Sequence, residues 1–354
     1  MNQERGRIFY AEPKHKRQVK VVDWCDTRGI VRSSDHYNRY GALYARTTFN
    51  ARGQKVNKTY FSVTGQEAIV ENFVTGDIIL NDGEEVKIFH TRTDFVLYFM
   101  EKAGYEKSRI FYNSLSYPFF VSQRLSQEKK EDILFWQEPV RDEIPGNMKV
   151  ILEGNSTRTS QIMVQKREAY DKMLALGAPE SMLRLLGFIH PFQKENHGKP
   201  EVLICTNSDR IEQCQKLVAA LPELHFHITA LTEMSSKLMS MGTYENVSLY
   251  PGVKMHILNE LFESCDYYFD INHEGEIVSA VQSAFLHNQL IFAFQETMHN
   301  GVYVASEHVY RASEVEQMVS DVKAVLTNQT LRKEHLDMQR EWALTERKEA
   351  YLDI

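Results

Sequence analysis

The chain has 354 residues, of which 43% are hydrophobic and 25% are charged, and its formal net charge at pH 7 is −7. This size and composition allow a large buried core and are typical of a globular protein of two or three domains. The mildly acidic charge, without long basic runs, argues against nucleic acid as a partner.

Cysteine spacing and hydropathy argue against a disulfide-bonded, a zinc-binding or a membrane-spanning protein. The four cysteines have no C-x-x-C spacing, and Cys205 and Cys265 lie in apolar strand patterns. We expect buried, reduced thiols rather than disulfides or a zinc site. Because no apolar run approaches the roughly 20 residues that span a bilayer, we expect a cytoplasmic protein and leave peripheral membrane contact open.

Residues 1–84 contain strand patterns without helices. Turn signals such as 50–53 separate segments rich in aromatic and β-branched residues, and apolar and polar residues alternate within 43–49. This pattern predicts an antiparallel β-meander with one apolar and one wetter face. Such a sheet is either a packed part of a larger fold or an interaction platform, and both interpretations stay open.

Residues 85–190 alternate between strand and helix patterns, which predicts a first parallel α/β (Rossmann-like) domain. A helix begins near Thr93, and a long helix is expected at 158–176. The expected strands are 86–89, 109–112, 133–136, 149–152 and 182–186. Because such a domain normally begins with its own strand, turn and helix, we expect it to be incomplete at its N-terminus.

Residues 191–330 predict a second Rossmann-like domain, after a polar linker at 191–200. A strand-like segment is expected at 301–304, and a C-terminal helix, capped by Thr330, at 331–354. The remaining expected strands are 202–205, 224–228, 247–250, 266–269 and 290–294, and the expected helices are 210–219, 234–240, 255–264 and 276–287.

The segment 265–294 has the pattern strand, loop, helix, strand. In a parallel sheet, the loop after a strand opens onto the ligand crevice, and the N-terminus of the next helix offers N–H groups to an anion. We therefore expect the functional site around 272–282. The candidate residues are Arg210, Asn272, His273, Glu274, Gly275, Gln282 and His299.

The first α/β region has its own candidates for acceptor binding: Tyr112, Asn113, Glu153 and Asn155. They follow predicted strands, so they would lie at the crevice, although residues 153–156 also fit a helix N-cap. His225 and His227 share one face of a strand but lack a third ligand, so no metal site is predicted, and no cofactor is expected.

The architecture and the central loop together resemble nucleotide-sugar glycosyltransferases of the two-Rossmann GT-B type. Many retaining members carry Glu-Gly-Phe-Gly and a second Glu eight positions after the first. Here Glu274 and Gly275 match, but Ile277 replaces the second Gly and Gln282 replaces the second Glu. Arg210 has no neighbouring Lys of the kind that binds diphosphate in active relatives. The resemblance thus implies a degenerate donor site.

A narrower resemblance covers almost the whole chain. The motifs RIFYAEP, VRSSDHYNRYGALYARTTFNARGQKVNKTYF, VTGDIILNDG and RIFYNSLSYPFFVSQRL resemble the GtfB-type glycosyltransferase-stabilising proteins of accessory Sec systems. The family implies a non-catalytic subunit bound to a GtfA-type catalytic partner, the pair transferring GlcNAc from UDP-GlcNAc to Ser/Thr of serine-rich-repeat adhesins before export. In the family an α/β segment normally precedes the β-sheet, which implies a shortened chain here.

We interpret the chain as a stabilising, acceptor-binding pseudo-enzyme whose α/β cleft holds the adhesin polypeptide, including already glycosylated segments. Two alternatives remain open at this point. One is an active retaining transferase in which Gln282 serves in place of Glu. The other is a structural chaperone that stabilises the partner without touching substrate.

Overall fold

The computed structural model describes residues 3–83, 85–125 and 131–354. Parts of the predicted domains 1–84 and 85–190, at residues 1–2, 84 and 126–130, lie outside the described residues. The chain divides into two compact units, the first formed by 1–163 and 173–184 and the second by 164–172 and 185–354. Each unit is described by itself.

An antiparallel sheet of eight strands opens the first unit, and its spatial order is the chain order. The strands are β1 (Gly6–Tyr10), β2 (Val19–Cys25), β3 (Val31–Tyr37), β4 (Leu43–Phe49), β5 (Lys55–Phe61), β6 (Glu67–Asn72), β7 (Ile78–Asn81) and β8 (Val86–Phe89). The predicted meander is confirmed. The assignment of 86–89 to the α/β region was wrong, because β8 pairs antiparallel with β7 through a connection too short for a parallel crossover.

The rest of the first α/β region has a four-stranded sheet of order β12-β11-β10-β9. Its strands are β9 (Phe111–Tyr112), β10 (Asp132–Trp136), β11 (Thr159–Val164) and β12 (Leu183–Leu185), and its helices are α1 (Arg92–Lys102), α2 (Tyr117–Arg124), α3 (Gly146–Leu152) and α4 (Arg167–Ala175). The side chain of Thr91 caps α1 by accepting a hydrogen bond from the Asp94 N–H.

Two predictions in this region were wrong. The segment 149–152 is the end of α3, since Met148, Ile151 and Leu152 are buried at helical spacing. The expected long helix at 158–176 is β11 followed by α4. Both errors arise because an apolar run of a few residues is too short for its periodicity to separate a strand from a helix.

The second unit contains a six-stranded sheet of order β15-β14-β13-β16-β17-β18, whose neighbouring strands are all parallel. The strands are β13 (Glu201–Cys205), β14 (His225–Thr229), β15 (Val247–Tyr250), β16 (Tyr267–Asp270), β17 (Leu290–Phe294) and β18 (Val309–Tyr310). This order is that of a doubly wound nucleotide-binding sheet, with the reversal between β13 and β16. Ligand crevices in such sheets open beside that reversal.

Seven helices are described after β12: α5 (Cys214–Ala220), α6 (Ser236–Met239), α7 (Met255–Ser264), α8 (Ala280–Leu286), α9 (Val315–Thr327), α10 (Gln329–Trp342) and α11 (Glu349–Leu352). The strand expected at 301–304 was wrong, because that segment is a turn and the last strand is β18. The cap of α10 is Asn328 rather than Thr330, since its side chain accepts from the Leu331 N–H. No helix among the described residues is long and apolar enough to cross a membrane.

Both faces of the second sheet are buried. Tyr267 and Phe269 belong to one apolar cluster with α5 and α9, whereas Tyr268 belongs to the cluster on the other face with α7 and α8. Adjacent residues of β16 therefore pack in opposite directions, as expected for a central strand. This double burial holds the carboxyl end of β16 in place beneath the candidate site.

Candidate functional site

The buried carboxylate of Asp270, the last residue of β16, lies beside the predicted site and was not among its predicted residues. His299 holds it from two directions: its Nδ1 lies 2.6 Å from Oδ1, and its backbone N–H donates to Oδ2 at 2.7 Å. The other ring nitrogen, Nε2, lies 2.7 Å from the carbonyl oxygen of Glu274. Hydrogen bonding to Asp270 raises the pKa of His299 to about 9, so the ring is cationic near neutral pH and donates to both oxygens.

This arrangement predicts a pH-dependent stability. Because the pKa of folded His299 lies above its ordinary value of about 6.5, its stabilisation is complete below pH ~6.5 and is lost as the pH rises through about 9. We expect the thermal midpoint to fall between pH 7 and about 9.5, and His299→Gln to remove this component. His256→Gln, at an exposed histidine of α7, is the control. An NMR titration that gives His299 an ordinary pKa would contradict the assignment.

The loops after β13 and β16 are hydrogen-bonded to each other at the reversal point. Ile211 and Asn272 form an antiparallel bridge. The His273 N–H donates to the Arg210 carbonyl at 2.9 Å, and the Glu212 N–H donates to the Ile271 carbonyl at 2.7 Å. The backbone N–H groups of His273 and Glu212 are therefore used within the protein.

One ion pair and one histidine–carboxylate contact join the same loops. The Arg210 Nη1 donates to Glu274 Oε1 at 3.1 Å, and the His273 Nε2 lies 2.8 Å from Glu212 Oε2. The Arg210–Glu274 pair is more than half exposed on both sides, so it contributes only about 0–1 kcal/mol. The pair matters for ligand binding, because Arg210, which was predicted to face a diphosphate, is paired with Glu274, the first Glu of the motif.

The start of α8 differs from the prediction. Val278 and Ser279 have φ values of 44° and 51°, and the helix begins only at Ala280 instead of near 276. These left-handed conformations are sterically unfavourable for a β-branched residue such as Val278. The Val281 N–H then donates to Glu276 Oε1 at 2.9 Å, so a carboxylate of the protein takes the place expected for an anionic ligand.

The two departures from the glycosyltransferase motif have different environments. Ile277 is 6% exposed and packs in the apolar cluster with α7 and α8, so its side chain is a core residue. Gln282 is exposed and interacts with the hydroxyl of Tyr303. A Cβ added to Gly275 would meet no heavy atom within 4 Å, and its φ is not positive, so glycine is not sterically required there.

The four candidate residues of the first α/β region have different environments. Tyr112 is buried, its hydroxyl lies 2.7 Å from Thr159 Oγ1, and burial raises its pKa to about 12. Asn113 is exposed. Glu153 and Asn155 are also exposed and lie 3.2 Å apart through Oε2 and Nδ2. Because Glu153 follows a helix and precedes a strand, the premise that 153–156 follow a strand or cap a helix was wrong.

Sequence reasoning missed a buried polar network in the first unit. Arg158 donates to both carboxylate oxygens of Asp132, at 2.9 and 3.1 Å. The hydroxyl of Ser122 donates to the same carboxylate at 2.7 Å. The signal was a charged residue at the start of each of two apolar runs: Asp132 is the first residue of β10, and Arg158 precedes β11. The network orients the sheet rather than presenting groups to a ligand.

The paired histidines of β14 bind neighbouring side chains. His225 Nε2 lies 2.8 Å from Ser248 Oγ, and His227 Nε2 lies 2.5 Å from Glu201 Oε2. His227 Nδ1 lies 2.9 Å from the hydroxyl of Tyr250. Within the described ranges, no group of three or more His, Cys, Asp or Glu residues could hold a metal ion.

Comparison with known proteins decides the family. Residues 1–90 match the GtfB middle domain, residues 92–176 the GtfB third domain, and residues 202–339 the GftB/GlyA-F C-terminal domain. The UDP-N-acetylglucosamine–peptide N-acetylglucosaminyltransferase stabilizing protein GtfB of Streptococcus agalactiae is 45% identical over 353 residues, which cover 99% of this chain and 79% of the relative. The chain belongs to the GtfB family of glycosyltransferase-stabilizing proteins. The resemblance read from the motifs is confirmed.

Solved structures agree with membership of the GtfB family. A chain in a crystal structure of a GtfA/B complex bound to UDP and GlcNAc is 40% identical, with a TM-score of 0.85 over 99% of this chain and 79% of that chain. A structure of accessory secretory protein 1, 2 and 3 from Streptococcus pneumoniae has a TM-score of 0.61 over 99% of this chain and 74% of that chain at 12% identity, a likeness of fold alone. The mixed α/β class with parallel sheets and an N-terminal antiparallel sheet is thereby established.

Proposed function

We propose that this chain is a non-catalytic subunit that stabilises a GtfA-type glycosyltransferase and binds its acceptor polypeptide. Its relatives are named as stabilizing proteins of a UDP-N-acetylglucosamine–peptide N-acetylglucosaminyltransferase, and a similar chain occurs in a GtfA/B complex. The proposed acceptor is a serine-rich-repeat adhesin, glycosylated in the cytoplasm before export. The proposed architecture is GT-B-like, with the second unit as one Rossmann-like domain and the first α/β region as the other.

The non-catalytic assignment rests on the donor loop, whose ligand-binding groups are already bonded to carboxylates of the protein. Glu276 caps α8, and the Arg210 guanidinium pairs with Glu274. A nucleotide diphosphate would meet a carboxylate at the helix start and compete with a carboxylate for the arginine. Repulsion by the Glu276 carboxylate and competition from the Glu274 carboxylate for Arg210 both oppose the binding of a polyanion.

The antiparallel sheet supports the proposed contact with a catalytic partner. Cross-strand pairing places Ile8, Val22, Asp35 and Arg46 on one face, where Arg46 Nε donates to Asp35 Oδ1 at 2.6 Å. Burial alone would raise the pKa of Asp35, but hydrogen bonds from Arg46 and Trp24 lower it, so a stable charged pair lies within this face. Ile8 and Trp24 are about half exposed, at 56% and 47%. Exposed apolar side chains around a fixed ion pair are typical of a protein interface.

Acceptor binding is assigned to exposed polar groups of each α/β region. Asn113, Glu153 and Asn155 are the proposed contacts in the first, and Gln282 is the proposed contact in the second. Tyr112 is buried and is proposed to support Asn113 rather than to touch the acceptor. Amide groups donate and accept hydrogen bonds and carboxylates accept them, so both suit a polypeptide rich in protein and sugar hydroxyl groups.

The test is a calorimetric titration of the chain with UDP-GlcNAc, repeated after the catalytic partner is added. We expect no saturable heat from the chain alone and saturable heat from the mixture. Glu274→Ala and its control Glu263→Ala, at an exposed carboxylate of α7, should both leave the mixture unchanged. Saturable binding to the chain alone, abolished only by Glu274→Ala, would overturn the non-catalytic assignment in favour of an active transferase.

A second titration separates acceptor binding from a purely structural role. A serine-rich acceptor polypeptide is titrated into the chain without its partner. Saturable heat that weakens in an Asn113→Ala/Asn155→Ala variant supports the acceptor-binding subunit. Stabilisation of the partner without any acceptor heat would leave the structural chaperone as the function.

A further inference from the structure

A second polar pocket lies at the opposite end of the second unit's sheet from the candidate site. Its volume is about 180 Å³. Helix α10 contributes Arg332, Lys333 and Arg340, the segment before β13 contributes Glu195 and Asn196, and Asn288 comes from the turn before β17. Asn288 precedes the first residue of β17, whereas the loops of the candidate site follow β13 and β16. The two sites have no lining residue in common.

Arg332 is the most deeply buried cation of this pocket. The residue is only 8% exposed, and its guanidinium donates to the carbonyl oxygens of Val325 and His197 at 3.3 and 3.4 Å. Neither acceptor carries a charge. Among the described residues no carboxylate forms an ion pair with Arg332, which is unusual because buried cations are normally paired.

Arg340 lines the same pocket with donor capacity unused. Its Nη1 donates to Asp337 Oδ1 at 2.9 Å and its Nη2 donates to Asn288 Oδ1 at 3.0 Å, while its guanidinium lies 5.2 Å from the ring centroid of Phe192. The Nε of Arg340 is buried without a hydrogen-bond partner. These contacts hold the guanidinium plane of Arg340 in place beside the pocket.

We propose that this pocket binds a small phosphate-type anion. Arg332, Lys333 and Arg340 supply three positive charges, against the negative charge of Glu195 in the lining and that of Asp337, which pairs with Arg340. The difference, 3 − 2 = +1, leaves a net positive charge that favours an anion. Guanidinium groups bind tetrahedral oxyanions through their N–H donors, and two of them, those of Arg332 and Arg340, line this pocket. A bound anion would also supply the counter-charge that Arg332 lacks.

The test uses inorganic phosphate as the probe and the 354-residue chain in a phosphate-free buffer. Titration followed by calorimetry and phosphorus NMR should give saturable binding at one site. Lys333→Gln and Arg340→Gln should each weaken it about tenfold or more, the usual effect of losing a charge-assisted contact. Lys323→Gln makes the same charge change at an exposed residue of α9 that does not line the pocket, and should leave binding unchanged.

Further controls test whether the variants fold and whether the phosphate binds at this pocket. Lys333 is exposed, so Lys333→Gln should fold normally, and its thermal midpoint without phosphate is checked against the parent. Glu274→Ala should bind phosphate as the parent does, which separates this pocket from the candidate donor loop. Absence of saturation up to roughly 10 mM phosphate, or equal binding by all variants, would overturn the proposal. Binding only to vesicles that contain phosphatidylglycerol would overturn it in favour of a membrane-surface contact.

Discussion

Replacing Asp132 with alanine is expected to lower the free energy of unfolding by about 3–5 kcal/mol, because it leaves a buried guanidinium without its counter-charge. Asp132 is fully buried, and the Arg158 side chain is 5% exposed. The carboxylate accepts four hydrogen bonds, two from Arg158 and one each from Ser122 and the Ile110 N–H. The measurement is the urea unfolding curve, monitored by tryptophan fluorescence and by circular dichroism.

The matched control for Asp132 is an exposed ion pair of the same region. Glu143 lies 3.5 Å from Lys149, and its side chain is 83% exposed, so Glu143→Ala should change stability by no more than about 0.5 kcal/mol. A double variant, Asp132→Leu with Arg158→Met, should be less destabilised than Asp132→Ala, because no uncompensated charge remains. Equal effects of Asp132→Ala and Glu143→Ala would show that the buried network is not important for stability.

Replacing Gly187 with alanine is expected to displace the C-terminal segment of the second unit. The added Cβ would lie 1.7 Å from the carbonyl oxygen of Leu344, a backbone atom that cannot rotate away. That carbonyl also accepts from the Phe188 N–H at 2.8 Å, and the Glu346 N–H donates to the Phe188 carbonyl at 2.8 Å. The expected loss is about 2–4 kcal/mol, from overpacking and from the hydrogen bonds that must break.

Hydrogen exchange locates the effect of Gly187→Ala. Amide protection should fall in residues 345–352, and the thermal midpoint should drop. Gly146→Ala is the control, since a Cβ there meets nothing within 4 Å, its φ is not positive, and alanine favours the helix that it begins. Unchanged protection near Tyr351, whose hydroxyl hydrogen bonds to the Gly187 carbonyl, would contradict the expected displacement.

The sequence predicted elements well where local signals agreed. Alternation and turn residues identified β4 at its observed bounds, Leu43–Phe49, and helical spacing identified α7 at Met255–Ser264. Such signals depend only on residues close in the chain. They failed at α3 and β11, whose apolar runs are too short for their periodicity to separate a helix from a strand. They also failed at Val86–Phe89, whose strand was recognised but whose partner strand was not.

At the candidate site, too, some features were predictable from local sequence and others were not. The order of residues around Glu274, with Ile277 and Gln282 at the departures from the motif, was sufficient to predict a degenerate donor loop. The pairing of Arg210 with Glu274 joins residues 64 positions apart, and no local pattern indicates it. The Glu276 cap likewise depends on the left-handed backbone of Val278 and Ser279, which runs against the preferences of those residues.

The sequence by itself therefore determined the class of fold and the family, and it predicted the candidate site residues, because these follow from short-range periodicity and from long motifs. The tertiary structure decided how those residues are used. It brought Asp270 to His299, closed the loops at the reversal of the sheet, and left Arg332 buried without a carboxylate. Charge pairing and burial act between residues that are distant in the chain, so they appear only after the chain has folded.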